Sequence, residues 1–184
     1  MKSETFCVFP FNHIATKTDG AIKPCCRSKP IAYIENESLK EAWNNDAMKR
    51  IRLAVLNGER PQECNTCWRH EEQGIRSMRM RTNDWHLDKF GPTHDKMSED
   101  GTMPFEVPTF EAKLSNLCNL KCRMCHPVDS TQWWKDWKVI SPLMKDTNTS
   151  TYHKIEKYEK PYVSAFENND SFWEELKEMA PNFQ

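Results

Sequence analysis

Eight cysteines lie in two groups on either side of a stretch with almost nothing to bury, and this distribution constrains the fold more than any other feature of the chain. Cys7, Cys25, Cys26, Cys64 and Cys67 precede the stretch from Gly91 to Pro104; Cys118, Cys122 and Cys125 follow it. The N-terminal Met1-Lys-Ser-Glu-Thr-Phe-Cys7 carries an acid and no apolar segment of the kind a secretory signal needs. The chain is therefore expected to be cytoplasmic, in a reducing compartment where disulfides are rare and clustered thiols point to metal. Apolar residues make up 38% and charged residues 29% of the chain, a thin core that metal staples would reinforce. No run approaches the roughly 18 apolar residues of a membrane span, so no membrane association is expected. With 26 Lys+Arg against 27 Asp+Glu the net charge is −1. That balance offers no field for a nucleic-acid backbone, and no nucleic-acid partner is expected.

Local signals give an α+β chain. Phe6, Val8, Phe9 and Phe11 favour extended backbone, Pro10 interrupts them, and Thr18-Asp19-Gly20 supplies a hairpin turn. A helix is predicted from Ser38, with Glu41 completing a capping box, through Leu39, Ala42, Trp43, Ile51, Ala54 and Val55 to a C′ glycine at Gly58. Cys64-Asn-Thr-Cys67 is a tight knuckle, and a basic helix is predicted from about Arg69 to Trp85. Residues 91–108 read as a linker between a first domain, 1–90, and a second, 109–184. In the second, Thr109 to Leu114 alternates as a strand would, and Asp129 or Ser130 can cap a helix bearing Trp133, Trp134 and Trp137. The polar stretch from about Asp146 to Asn169 reads as an irregular insertion. A last helix is predicted to begin near Ser171, with Glu174 as its capping partner, and to end at Pro181.

The second cysteine group carries the sharper chemistry. Cys118, Cys122 and Cys125 have the spacing C-x3-C-x2-C on a loop that follows a strand. Three thiolates can hold three irons of a cubane and leave the fourth open to a substrate or cofactor, whereas four-cysteine sites are closed. Zinc would want a fourth ligand, and His126, adjacent to Cys125, is awkwardly placed to be one. Cys122-Arg-Met-Cys125-His126 also fits the C-x-x-C-H pattern of c-type haem attachment, but that leaves Cys118 unexplained. Three buried structural thiols are the remaining alternative.

The run Leu114-Ser-Asn-Leu-Cys-Asn-Leu-Lys-Cys-Arg-Met-Cys125 closely resembles the cluster loop of radical S-adenosylmethionine (SAM) enzymes. The resemblance implies a SAM-binding 4Fe–4S cluster on Cys118, Cys122 and Cys125, after the first strand of a partial (β/α) barrel. SAM would be the second cofactor, cleaved to a 5′-deoxyadenosyl radical. Met124 would stand where that family often has an aromatic residue near the adenine, and methionine is adaptable enough to fill the place. An electron donor such as a flavodoxin or ferredoxin is implied as a partner, with a peptide, a protein or a small metabolite as substrate.

The N-terminal group, with Cys7, Gly20-x4-Cys25 and Cys64-x2-Cys67 and a helix between Cys26 and Cys64, resembles a SPASM or shortened twitch domain, the auxiliary iron–sulfur module of such enzymes. The resemblance implies an auxiliary 4Fe–4S cluster on Cys7, Cys25, Cys64 and Cys67, with Cys26 spare. A structural zinc on the same four thiols is the alternative, since ligand type alone does not separate the two. His70 is the one other zinc ligand to consider; His13, His86, His94 and His153 show no metal spacing. Arg76, Arg79 and Arg81 read as a solvated helix face. The three tryptophans read as packing or an interface.

Radical SAM proteins carry a Gly-Gly-Glu-Pro-like segment that this sequence lacks, and only one β/α unit can be drawn before Gln184. The expectation is therefore an incomplete barrel, from a truncated or split reading frame. The reading from a different class is a non-catalytic iron–sulfur or zinc module for electron transfer or protein interaction.

Overall fold

The structure, a computed structural model, describes residues 3–90, 93–144 and 162–183. It divides into two compact units, the first made of Met1–Thr16, Ala21–Ala112 and Asn169–Gln184, the second of Lys17–Gly20 and Lys113–Asn168.

The first unit is built on a mixed four-stranded sheet. A single helical turn, α1 (Phe9–Asn12), leads into β1 (His13–Thr16), which pairs antiparallel with β2 (Ala21–Lys23); Ala15 faces Lys23 and Thr16 faces Ile22. The expected turn joins them, with Gly20 at φ 83°, where a side chain would be strained. β2 pairs antiparallel with β3 (Ala32–Tyr33), and β4 (Thr109–Glu111) adds in parallel to the other side of β1. The sheet order is β3-β2-β1-β4. Extended backbone was expected from Phe6 to Phe11; instead Pro10, which suits the start of a helix, sits in α1.

Helices fill the connection between β1 and β4. Ser38 and Glu41 form the expected capping box at the start of α2 (Leu39–Trp43). The predicted single helix, however, breaks at two asparagines. Asn45 is extended (ψ 166°) and its side chain accepts from Met48 N–H, so it caps a second helix, α3 (Asp46–Leu56), which ends before Gly58 at φ 83°. The next predicted helix also divides, into α4 (Asn65–Glu72) and α5 (Met78–Phe90), because Gly74 turns the chain at φ 71° and Ser77 Oγ accepts from Met80 N–H. The last helix, α7 (Asp170–Met179), is capped by Asn169 rather than Ser171; Asn169 Oδ1 accepts from Phe172 N–H at 2.9 Å. Its Glu175 carboxylate in turn accepts from Leu39 N–H at 2.7 Å, placing negative charge at the N-terminus of α2.

The core of this unit is Val8, Phe11, Ile14, Ile22, Leu39, Trp43, Met48, Ile51, Val55, Val107, Phe172 and Met179, all buried. Arg52 is buried among them. Its Nε donates to Pro10 O at 2.8 Å and its Nη1 to Gly101 O at 2.9 Å and Asn44 Oδ1 at 3.0 Å, while the guanidinium lies over Trp43 at 4.3 Å. Burial pulls its pKa down to about 9, which still leaves it charged at neutral pH.

The stretch read as a linker is therefore packed where it is described. Trp43 Nε1 donates to Pro104 O and Asn44 Nδ2 to Met103 O, both at 2.8 Å, and Met103 and Val107 are buried. Side chains from α2 and α3 satisfy its backbone, which composition could not reveal. Gly101 sits at φ 87°, and a Cβ there would lie 2.9 Å from Lys49 O. Gly101→Ala is expected to cost about 1–3 kcal/mol, read as a lower thermal unfolding midpoint.

His13 is also buried, its ring centroid 4.6 Å from that of Phe9 in a tilted contact, with its Nδ1 2.9 Å from Thr109 Oγ1. Burial first, and His86 second, hold its pKa down at about 4 from an ordinary 6.5. The unfolded chain thus takes the proton before the folded one. This contribution to stability is complete above pH 6.5 and is lost as pH falls toward 4. Between pH 7 and pH 5 it should fall by about 2 kcal/mol. Urea titrations at the two pH values check this, and His13→Gln should flatten the difference by that amount.

The second unit holds the three-cysteine loop and α6 (Trp134–Ile140). Asn116 anchors it from a buried position: Oδ1 accepts from Val163 N–H and Nδ2 donates to Pro127 O, each at 2.8 Å. Of the predicted insertion, residues 146–161 lie outside the described residues, as does His153. Among the described residues no helix is long and apolar enough to cross a membrane.

Candidate metal centre

Three separate segments of the first unit bring Cys7, Cys25, Cys64 and Cys67 to line one pocket, together with Phe9, Trp68, Met78 and Arg79. Each arrives by a different local device. Cys7 precedes α1 on irregular chain. Cys25 follows β2 in a turn closed by Ser28, whose Oγ donates to Cys25 O at 2.9 Å. Cys64 ends a short 3₁₀ turn (Gln62–Cys64) that leads into α4, and Cys67 lies in the first turn of that helix. The turn and the knuckle are laced together by Lys29 N–H to Glu63 O at 2.9 Å and by Thr66 Oγ1 to Arg27 O at 3.2 Å.

Electrostatics in the pocket favour bound cation. Burial pushes the Cys7 thiol well up, reinforced by Cys25 and Cys64. Burial also raises Cys25, and it raises Cys64 to about 12, with Cys25 and Cys67 adding to the shift and Arg79 opposing it. Cys7, Cys25 and Cys64 therefore hold their protons more tightly than free thiols do, and metal uptake at them must release protons.

Among the described residues, no three His, Cys, Asp or Glu close on a single ion. A tetrahedral zinc would draw its four sulfurs to about 2.3 Å from one centre. In a cubane each cysteine binds a different iron, so the thiols stand further apart around a shared volume. Four thiols lining one pocket supply the donor set that either arrangement would use. His70 is on α4 but does not line the pocket. Cys26 does not line it either; its Sγ lies 3.8 Å from Met78 Sδ.

Residues 7–68, about a third of the chain, match the family model of SPASM, an iron–sulfur cluster-binding domain. All four pocket cysteines fall inside the matched span. The match implies an iron–sulfur cluster and supports the expected SPASM-like module. No curated protein and no solved structure matches the chain.

Sequence reasoning missed Arg79. It was read as part of a solvated face with Arg76 and Arg81, but only those two are exposed. Arg79 is 9% exposed and pairs bidentately with Glu71, Nε to Oε1 at 3.0 Å and Nη2 to Oε2 at 2.7 Å. Nothing in Arg76-Ser-Met-Arg-Met-Arg81 distinguishes it; the partner Glu71 is on the other side of the Gly74 break.

In the second unit the three-cysteine loop is held from below and open above. Ser130 Oγ donates to Leu120 O at 2.6 Å, and Trp133 Nε1 to Cys122 O at 3.0 Å, so Trp133 braces the loop. Leu120 N–H points at Cys118 Sγ, 3.4 Å away, a contact of the kind that tunes an iron–sulfur potential. Cys122 is exposed and Cys118 and Cys125 half-exposed. Partial burial, then Cys122 and Asp129, push the Cys125 thiol up. His126 Nδ1 faces Asp129 Oδ2 at 3.1 Å. Met124 is 94% exposed.

Proposed function

We propose that the chain is a radical SAM protein with an N-terminal auxiliary cluster module. Cys7, Cys25, Cys64 and Cys67 would hold the auxiliary 4Fe–4S cluster, and Cys118, Cys122 and Cys125 a second one that keeps an iron open for SAM. The observation that carries the first half is the convergence of four separated thiols on one pocket inside the span that matches a cluster-binding family. The second half rests on the C-x3-C-x2-C loop, whose thiols stay near the surface where a cofactor reaches them.

When bound, a reduced cluster with an open iron would supply the electron for reductive cleavage of SAM and so for radical abstraction of a substrate hydrogen. The chain's own contribution is positional. Asn116, Ser130 and Trp133 fix the loop backbone, Leu120 N–H meets Cys118 sulfur, and exposed Leu117, Leu120 and Met124 offer apolar surface to an adenosyl group. Strand β4, the cysteine loop and α6 follow in the order of a first β/α unit. An electron donor such as a flavodoxin or ferredoxin would serve it, in the cytosol, on a peptide, protein or metabolite substrate.

Anaerobic purification with EPR of the reduced protein tests this. SAM should change the spectrum, and replacing Cys118, Cys122 and Cys125 by Ala should abolish the change and remove about four of about eight irons. A spectrum indifferent to SAM would leave a non-catalytic iron–sulfur module.

A further inference from the structure

The match to the cluster-binding family ends at residue 68, yet α5, which begins at Met78, holds the first of the four cysteines. Cys7 belongs to no helix or strand, so no ladder of backbone bonds fixes it. Both peptide groups that flank it are tied to α5 instead. Asn83 Oδ1 accepts from Val8 N–H at 2.9 Å, and Asn83 Nδ2 donates to Phe6 O at 2.7 Å. Arg79 Nη1 donates to the same carbonyl, also at 2.7 Å. Arg79 is in turn immobilised by its fork on Glu71 and lies 5.0 Å over the Trp68 ring, and both Arg79 and Trp68 line the pocket.

We infer that Asn83 and Arg79 are positioning residues for Cys7: they clamp the backbone on both sides of it and so aim its sulfur into the four-cysteine pocket. The inference rests on the reading of that pocket as a cluster site. The other three cysteines have local supports, the Ser28 turn for Cys25 and the start of α4 for Cys64 and Cys67. Cys7 has one local contact, its sulfur with the Phe9 backbone, but the peptide groups on both sides of it are held by a helix outside the matched span. Loosening the clamp leaves three ligands in place and makes the iron opposite Cys7 the labile corner.

The parent for the test is the full chain with Cys118, Cys122 and Cys125 replaced by Ala, reconstituted anaerobically with ferrous iron and sulfide. Ferricyanide then takes one electron from a [4Fe–4S]²⁺ cluster; Fe²⁺ leaves, and a [3Fe–4S]⁺ cluster with its own EPR signal remains. Asn83→Ala keeps the Arg79–Glu71 pair. It should take up iron as the parent does but form the three-iron signal about tenfold faster, the factor that accompanies loss of roughly one net hydrogen bond. Asn83→Asp, which keeps the acceptor for Val8 N–H, should fall between the two. In the metal-free proteins, mass-mapped iodoacetamide labelling of Cys7 should rise by a similar factor in Asn83→Ala. Equal three-iron rates and equal Cys7 labelling in parent and variant would overturn the clamp. A parent that takes up no iron would overturn the cluster reading and any role in iron retention, and the labelling would still show separately whether α5 holds Cys7.

Discussion

Arg52→Met is expected to destabilise the chain by about 2–5 kcal/mol, read as a lower denaturant midpoint with little change in slope. Methionine refills the apolar stem space beside Trp43. It leaves Pro10 O and Gly101 O, deep in the first unit, without their donor, and each such loss costs about 1–3 kcal/mol. Arg52→Lys should recover only part of this, because one ammonium cannot span acceptors on α1, α2 and the Gly101 turn. The effect is a large share of the about 5–15 kcal/mol that holds a typical domain together. A midpoint within about 0.5 kcal/mol of wild type would mean that the guanidinium is not what fastens residues 101–104 to the helices.

Removing the two knuckle thiols should be at least as damaging, through the proposed cluster rather than the fold alone. Cys64→Ser with Cys67→Ser is expected to lose about four irons per chain, counted by colorimetric assay after anaerobic reconstitution. It should also lower the melting temperature of the reconstituted protein toward that of the metal-free chain, because a cluster held by the four thiols would cross-link the Cys7 segment, the Cys25 turn and the knuckle. Cys26→Ser is the control. Its sulfur lies beside Met78 and off the pocket, so iron content should be unchanged. Loss of iron in Cys26→Ser, with retention in the double variant, would reassign the ligands.

Local signals in the sequence were read correctly where one or two residues decide the backbone. The Ser38–Glu41 capping box, the Gly20 turn and the glycine after α3 are of this kind. The grouping of Cys7, Cys25, Cys64 and Cys67 followed from the resemblance to a SPASM domain, and all four line one pocket. What escaped was decided at long range or by competition between neighbours. Asn45 outbid the apolar periodicity of residues 39–55 by capping a new helix, and Gly74 did the same beyond the knuckle. The pairing of β4 with β1 joins residues 96 apart, and nothing in Thr109–Glu111 announces its partner. Arg79 and Arg81 look alike in sequence; only the fold buries the first against Glu71 and leaves the second in solvent. The Gly91–Pro104 stretch looked like a linker because, apart from buried Met103, its described part is anchored by side chains of Trp43, Asn44 and Arg52 far away in sequence.

The most direct measurement is a metal and sulfide count on the full chain in which Cys118, Cys122 and Cys125 are replaced by Ala, purified and reconstituted without oxygen in the presence of both iron and zinc. A cluster on Cys7, Cys25, Cys64 and Cys67 predicts about four irons and four acid-labile sulfides per chain, and no stoichiometric zinc. One zinc without sulfide, or no bound metal, would contradict it.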